Sequence, residues 1–156
     1  MSHNVKMIAK GLLIRPYQHE KDREKLVKMY LSFDPSDRTL GLPPATRSDL
    51  EGWLDFFAPS GLSVVAECNG DIVGHVAGAP VGEEVHMISF VHRDYRNMGL
   101  GQRMISRVIE MCREAGYDRV VVVTDERNTR AIHVFMKLGF QLVSAGFEYE
   151  LHLPLY

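Results

Sequence analysis

The sequence is poor in the features that mark several large classes of protein. Of 156 residues only two are cysteines, Cys68 and Cys112, and they lie in unrelated segments without a Cys-x-x-Cys pair. This spacing argues against a disulfide framework or a zinc site, and it favours reduced thiols in a cytoplasmic protein. No spacing of His, Asp or Glu suggests another metal site, so we expect no metal.

Charge and hydrophobic runs argue against two kinds of partner. The formal net charge is −2, and the lysines and arginines are scattered, which predicts neither a nucleic-acid surface nor a polybasic membrane anchor. No run approaches the ~20 apolar residues of a membrane span, and the first ten residues lack the apolar stretch of a signal peptide. We therefore expect a soluble protein with one core in one domain, residues 1–156.

Hydrophobic periodicity predicts an alternation of strands and helices. Asn69 and Gly70 predict a tight hairpin, because this dipeptide supplies positive φ angles. The predicted strands are 12–15, 62–67, 72–79, 85–91, 119–124, 140–144 and 147–153, and the predicted helices are 19–31, a second helix capped by Thr46 or Ser48, 101–115 and 128–138. This order predicts an α/β fold, with a mixed, partly parallel sheet and helices on both faces.

The clearest chemical signal is Arg-Asn-Met-Gly-Leu-Gly, residues 96–101, between a predicted strand and a predicted helix. Such a loop directs backbone N–H groups toward an anion, usually a phosphate, although the glycines would also serve simply to shape the turn. A P-loop is excluded because Gln102 and Arg103 follow Gly101 in place of Lys and Ser or Thr. A dinucleotide fingerprint is disfavoured because Met104 occupies the position of its third glycine.

Two segments resemble the motifs of the GCN5-related N-acetyltransferases. Residues 91–101, Val-His-Arg-Asp-Tyr-Arg-Asn-Met-Gly-Leu-Gly, resemble the acyl-CoA diphosphate motif of that family. Residues 126–141 resemble its second motif at Asn128, Ala131, Phe135, Lys137, Gly139 and Phe140. The resemblance implies a sheet splayed between the fourth and fifth strands, and N-acetyl transfer from acetyl-CoA.

The resemblance also assigns binding roles. Pantetheine would lie between the splayed strands and pair with the backbone of Ser89 and Val91, and the glycine loop would hold the diphosphate. A β-bulge is expected near residues 88–90. The implied cofactor-binding residues are Ser89, Phe90, Val91, Arg96, Asn97, Met98, Gly99, Leu100, Gly101, Gln102, Asn128 and Phe135.

The catalytic residues are less clearly marked. His86 occupies the position of a glutamate in bacterial protein-lysine acetyltransferases of this family, which makes it the implied base, with Glu83 and Glu84 as alternatives. An imidazole is suited to accept an amine proton near neutral pH. The usual acid is a tyrosine where this sequence has Phe135, so the leaving thiolate would take its proton from water or Tyr149, or leave unassisted.

The acceptor and the assembly remain open at this stage. Asp34 and Asp37 lie in a long Pro- and Gly-rich loop, where they would either stabilise turns or recognise a cationic amine. The loop also shows a faint resemblance to protein-lysine acetyltransferases. The expected acceptor is therefore a primary amine, either a small molecule or a protein lysine or N-terminus. Direct transfer in a ternary complex is the simplest mechanism. The alternatives are a non-catalytic acyl-CoA sensor and a structural homodimer that pairs its terminal strands.

Overall fold

The computed structural model describes residues 11–38, 40 and 42–156, so the first ten residues and their expected lack of a signal peptide lie outside it. The strands are β1 (Leu12–Pro16), β2 (Ser63–Cys68), β3 (Asp71–Val81), β4 (Glu84–Val91), β5 (Arg119–Asp125), β6 (Gln141–Ser144) and β7 (Glu148–Pro154). The helices are α1 (His19–Leu31), α2 (Arg47–Phe57), α3 (Leu100–Glu114) and α4 (Thr129–Lys137). Every predicted element is present within one or two residues. Three short 3-10 turns, Pro35–Asp37, Ala58–Ser60 and Arg93–Tyr95, were not predicted.

The seven strands form one mixed sheet in the order β1-β2-β3-β4-β5-β7-β6. The β4–β5 pair is parallel, and the other neighbouring pairs are antiparallel. The parallel pair is joined through α3, as the strand, glycine loop, helix and strand in the sequence predict. In the described residues no helix is long and apolar enough to cross a bilayer.

Helices cover both faces of the sheet. Alternation along β2 separates the faces, because Val64 and Ala66 pack into the core beneath α3 and α4, whereas Val65 packs beneath α1 and α2. Strand β4 divides in the same way, with Met87 in the first core and Phe90 against the second. Odd-numbered residues of β4 therefore face α3 and α4, and even-numbered residues face α1 and α2.

The tight turn predicted at Asn69 and Gly70 is confirmed, since both residues have positive φ, 51° and 88°. The β-bulge expected near residues 88–90 is wrong. Strands β3 and β4 pair without a register shift from Gly74 opposite Val91 to Val81 opposite Glu84. Bulges lie instead in the β2–β3 and β6–β7 pairs.

A buried polar contact holds α1 on the sheet. The Tyr30 hydroxyl and Nδ1 of His75, on β3, lie 2.7 Å apart, and both side chains are fully or almost fully buried. Burial lowers the pKa of His75 to about 3, because the charged imidazole would lose its hydration. His75 is therefore a neutral packing residue.

We predict that acid destabilises the protein through His75. The folded-state pKa lies below the value of about 6.5 for an unfolded histidine, so the unfolded state gains a proton first as the pH falls. The free energy of unfolding should drop by roughly 2–3 kcal/mol between about pH 6.5 and pH 4.5. Urea unfolding across this range should show the drop, and His75→Gln should flatten it. An equal slope in the variant would contradict the assignment.

Candidate active site

The sheet opens between β4 and β5. The two strands pair only from Glu84 to His86, opposite Arg119 to Val121. Beyond this point they diverge, and the gap continues into a cavity of about 460 Å³. The splay implied by the family resemblance is therefore present, and the divergence itself opens the strand without a bulge.

The cavity is lined by side chains from both faces of β4. Met87 and Val91 belong to the layer beneath α3 and α4, whereas Ile88 and Phe90 belong to the layer beneath α1 and α2. Because successive residues of a strand point to opposite faces, this lining means that the cavity reaches both sides of the sheet at the splay. Two reactants that approach from opposite faces could meet there.

The glycine loop forms one end of the cavity. Asn97 and Gly99 have left-handed backbones, with φ of 66° and 77°, and α3 begins at Leu100. A Cβ atom on Gly99 would meet nothing within 4 Å, and one on Gly101 would approach only Cγ2 of Val91, at 3.4 Å. The space beside both glycines is therefore open. Internal packing does not require glycine here, which suits a loop whose backbone receives a phosphate.

The start of α3 also offers backbone donors. Its first helical hydrogen bond runs from Arg103 N–H to the Gly99 carbonyl, 3.1 Å. The N–H groups just before Arg103 have no acceptor within the helix, and the helix dipole gives this end a partial positive charge. Gly101 and Gln102 both line the cavity. An anion at this end would meet donors without any rearrangement of the helix.

Arg96 links the glycine loop to the loop between α1 and α2. Its Nε donates to the Val91 carbonyl at 2.8 Å, and Nη1 donates to Oδ1 of Asp37 at 2.9 Å. Arg93 pairs with Asp34 at 2.6 Å and with Asp37 at 3.3 Å. Burial alone would raise the pKa of the Asp37 carboxyl, but the hydrogen bonds from Arg96 and from the Asp34 N–H, together with the charges of Arg96 and Arg93, outweigh burial and lower that pKa. The charges of Asp34 and Asp37 are thus matched within the protein.

Asn128 is the N-cap of α4. Its Oδ1 accepts from Ala131 N–H at 3.3 Å, and its Nδ2 donates to Oγ1 of Thr124 at 3.3 Å. These two hydrogen bonds fix the Asn128 side chain at the cavity wall. Phe135 also lines the cavity and is 7% exposed, with its ring centroid 5.2 Å from that of Phe140.

His86 and Glu84 lie outside the cavity lining, at the stretch where β4 and β5 still pair. His86 Nε2 is 3.5 Å from Glu84 Oε1, and the other Glu84 oxygen is 3.1 Å from Nε of Arg119. By alternation His86 shares the face of Ile88, the next residue of that face along β4, which does line the cavity. His86 is therefore adjacent to the cavity on the face of α1 and α2.

All the implied cofactor-binding residues line the cavity except Met98. Sequence reasoning missed other lining residues, among them Leu40, Leu42, Thr124 and Arg130. Thr124 follows the alternation of Val120 and Val122 along β5, so strand parity combined with the predicted splay could have identified it. The two leucines carry no comparable signal, because they lie in an irregular loop.

Two further side chains that could take part in the chemistry, Cys112 and Tyr149, do not line the cavity. Cys112 is buried in α3, and burial raises its pKa to about 11, so its thiol is a poor nucleophile. Tyr149, the alternative proton donor, packs against the core beneath α3 and α4 and does not line the cavity. Within the described residues no three His, Cys, Asp or Glu side chains are grouped to hold a metal ion.

The chain belongs to the acetyltransferase (GNAT) family, whose model matches residues 24–140. A mycothiol acetyltransferase from Saccharomonospora viridis is 26% identical over 157 aligned positions, which cover 91% of this chain and 50% of that protein. The chain spans half or less of the length of this protein and of a second curated relative, with shares of 50% and 37%.

Solved structures show the same fold. An acetyltransferase of the GNAT family from Streptococcus pneumoniae, 23% identical, matches with a TM-score of 0.77 over 92% of this chain and 98% of its own. The PaiA N-acetyltransferase of Thermoplasma acidophilum, in complex with coenzyme A, is 12% identical and has a TM-score of 0.70 over 92% of this chain and 98% of its own. The family resemblance and the predicted fold class are confirmed.

We predict that Asn128 stabilises α4 chiefly as an acceptor. Asn128→Ala should lower the free energy of unfolding by about 1 kcal/mol, because the cap on Ala131 N–H is lost. Asn128→Asp keeps an acceptor oxygen and loses only the donor to Thr124, so it should retain most of that stability. Urea unfolding at neutral pH measures both variants. Equal losses in the two would mean that the bond to Thr124 matters more than the cap.

Proposed function

We propose that this chain transfers an acetyl group from acetyl-CoA to a primary amine in a ternary complex. One observation carries the proposal, namely the cavity that reaches both faces of the sheet at the β4–β5 splay. Acetyl-CoA would occupy the side beneath α3 and α4, and the amine would enter from the side of α1 and α2. Holding both reactants in one cleft supplies much of the acceleration by proximity.

The cofactor residues divide by the part of acetyl-CoA that they hold. Backbone N–H groups between Asn97 and Gln102, including those of Met98, Leu100 and the two glycines, would receive the diphosphate, with Arg96 as a charged donor. Between Met87 and Val91 the edge of β4 on the side of β5 has no strand partner among the described residues, so the pantetheine amides can pair there with Ser89 and Val91. Asn128 and Phe135 would line the arm near the thioester, and Phe90 would face the thioester from the side of α1 and α2.

Acetyl transfer requires one bond exchange and two proton transfers. The neutral amine attacks the thioester carbonyl carbon, a C–N bond forms, the C–S bond breaks, and CoA leaves as a thiolate that takes up a proton. His86, adjacent to the cavity, would remove the amine proton through water, with Glu84 as its partner at 3.5 Å. Phe135 has no proton to give, so water would protonate the thiolate.

Direct transfer is favoured over a covalent intermediate on the enzyme. No cysteine lines the cavity, and Cys112 is buried in the core. The nucleophile would therefore be the acceptor amine itself. Initial rates measured over a matrix of acetyl-CoA and amine concentrations test this step, because a ternary complex gives intersecting reciprocal plots and an acetyl-enzyme gives parallel ones.

A non-catalytic acyl-CoA sensor is the second candidate function. The observation that favours it is Phe135, a buried ring where a catalytic tyrosine would be expected. A sensor would bind acetyl-CoA and release no CoA with any amine. Acceptor-dependent release of free CoA thiol therefore separates the two functions.

We predict that Gly101→Ala weakens acetyl-CoA binding without harming the fold. The new methyl group would occupy open space at the cavity, where the diphosphate must approach the backbone, so the Kd should rise by at least about tenfold. Stability should match or exceed that of the parent, since alanine favours helix over glycine. Calorimetric titration and urea unfolding measure the two quantities.

Gly52→Ala is the matched control for this prediction. Gly52 lies in α2, and a Cβ there would meet nothing within 4 Å. The control should gain similar stability and leave the Kd for acetyl-CoA unchanged. An unchanged Kd in Gly101→Ala would remove the diphosphate assignment.

We predict that His86→Gln lowers kcat by about 10²-fold, the usual contribution of one general base. The loss should appear in kcat at saturating acetyl-CoA and amine, because a general base acts on the bound amine. His133→Gln, at an exposed histidine of α4, is the control and should keep the parent kcat. A parent kcat in His86→Gln would reject His86 as the base.

A further inference from the structure

The face of the cavity that would receive the amine is apolar. Leu40 and Leu42, from the loop between α1 and α2, line the cavity, as do Ile88 and Phe90 of β4. Leu40 is 41% exposed, so a large apolar side chain faces solvent at a cavity wall. A ligand with an apolar substituent would cover it and gain hydrophobic contact.

The cavity lacks a countercharge for a cationic substituent. Among its described lining residues the charged ones are Arg96 and Arg130, and none is an acid. Two acids near the cavity are already paired: Asp37, whose side chain is 6% exposed, with Arg96, and Glu84 with Arg119. A second positive charge on the acceptor would therefore leave water without gaining an ion pair.

The residues that flank the two leucines are held by hydrogen bonds. Arg38 Nη1 donates to the Phe33 carbonyl at 2.9 Å, and its Nε donates to the Pro43 carbonyl at 3.0 Å. The ion pair of Asp37 with Arg96 ties the residues just before Arg38 to the glycine loop. Fixed residues therefore lie on both sides of the leucines in the sequence.

We propose that the acceptor is a primary amine that carries an apolar substituent and no second positive charge. This inference rests on the proposed function, because it names the substrate class of the same site. It replaces the cationic acceptor that the two aspartates suggested in the sequence. The specificity-determining residues are Leu40, Leu42, Ile88 and Phe90.

Hexylamine and 1,5-diaminopentane test this inference, since they have equal numbers of heavy atoms and differ by a terminal methyl against a terminal ammonium group. We expect kcat/KM for hexylamine to exceed that for the diamine by at least about tenfold, the discrimination typical of a small apolar contact. Chemical-shift titration of the CoA-saturated protein should show the same order of affinity. Equal or better use of the diamine, or failure of both amines to bind, would overturn the inference.

Leu40→Asp supplies a countercharge for the terminal ammonium group of the diamine. The ratio of kcat/KM for hexylamine to kcat/KM for the diamine should therefore fall by about tenfold. Leu13→Asp, at an exposed leucine of β1 outside the cavity lining, is the control and should keep the parent ratio. Calorimetry should give an unchanged Kd for acetyl-CoA in both variants. If Leu40→Asp keeps the parent ratio of kcat/KM for the two amines, Leu40 does not contact the acceptor substituent and the inference fails.

The two readouts separate this inference from the proposed function. If hexylamine binds in preference to the diamine but releases no CoA, acetyl transfer fails while the apolar specificity of the site stands. If both amines are acetylated without preference, the proposed function stands and the apolar specificity fails.

Discussion

The site depends on the parallel pairing of β4 and β5 ending after His86 and Val121. Had the ladder continued, Met87 to Val91 would have been closed by β5, and no cavity would reach both faces of the sheet. Instead, these residues keep their pairing with β3 and leave their other edge without a strand partner. Backbone groups at such an edge require water or a ligand, which makes the gap a natural place for an extended molecule with amide groups.

The Asp37–Arg96 ion pair couples the two sides of this gap. It spans 59 positions of sequence and joins the loop between α1 and α2 to the loop that opens α3. The same arginine also holds the Val91 carbonyl and lies over the Phe33 ring, with its guanidinium carbon 5.7 Å from the centroid. One cation therefore orders the glycine loop, the end of β4 and the apolar wall together.

Much of this arrangement could be predicted from sequence where the signal is local. The Asn69-Gly70 turn and the Asn128 cap each rest on a few neighbouring residues, and the family resemblance identified about half of the cavity lining. The partner of Asp37 could not be predicted, because ion pairs between distant loops leave no periodic pattern. The prediction of a bulge in β4 was wrong for a related reason. The gap arises because β4 and β5 diverge, and the sequence of β4 alone does not distinguish such divergence from a bulge.

We propose that the glycine loop and the splayed strand bind the two halves of acetyl-CoA. Parallel calorimetric titrations of the protein with acetyl-CoA and with S-acetylpantetheine, which lacks the nucleotide and its diphosphate, test it most directly. We expect acetyl-CoA to bind and the truncated thioester to bind at least about a hundredfold more weakly, because the N–H groups at the start of α3 lose their anion. Equal affinities, or no binding of acetyl-CoA, would contradict it.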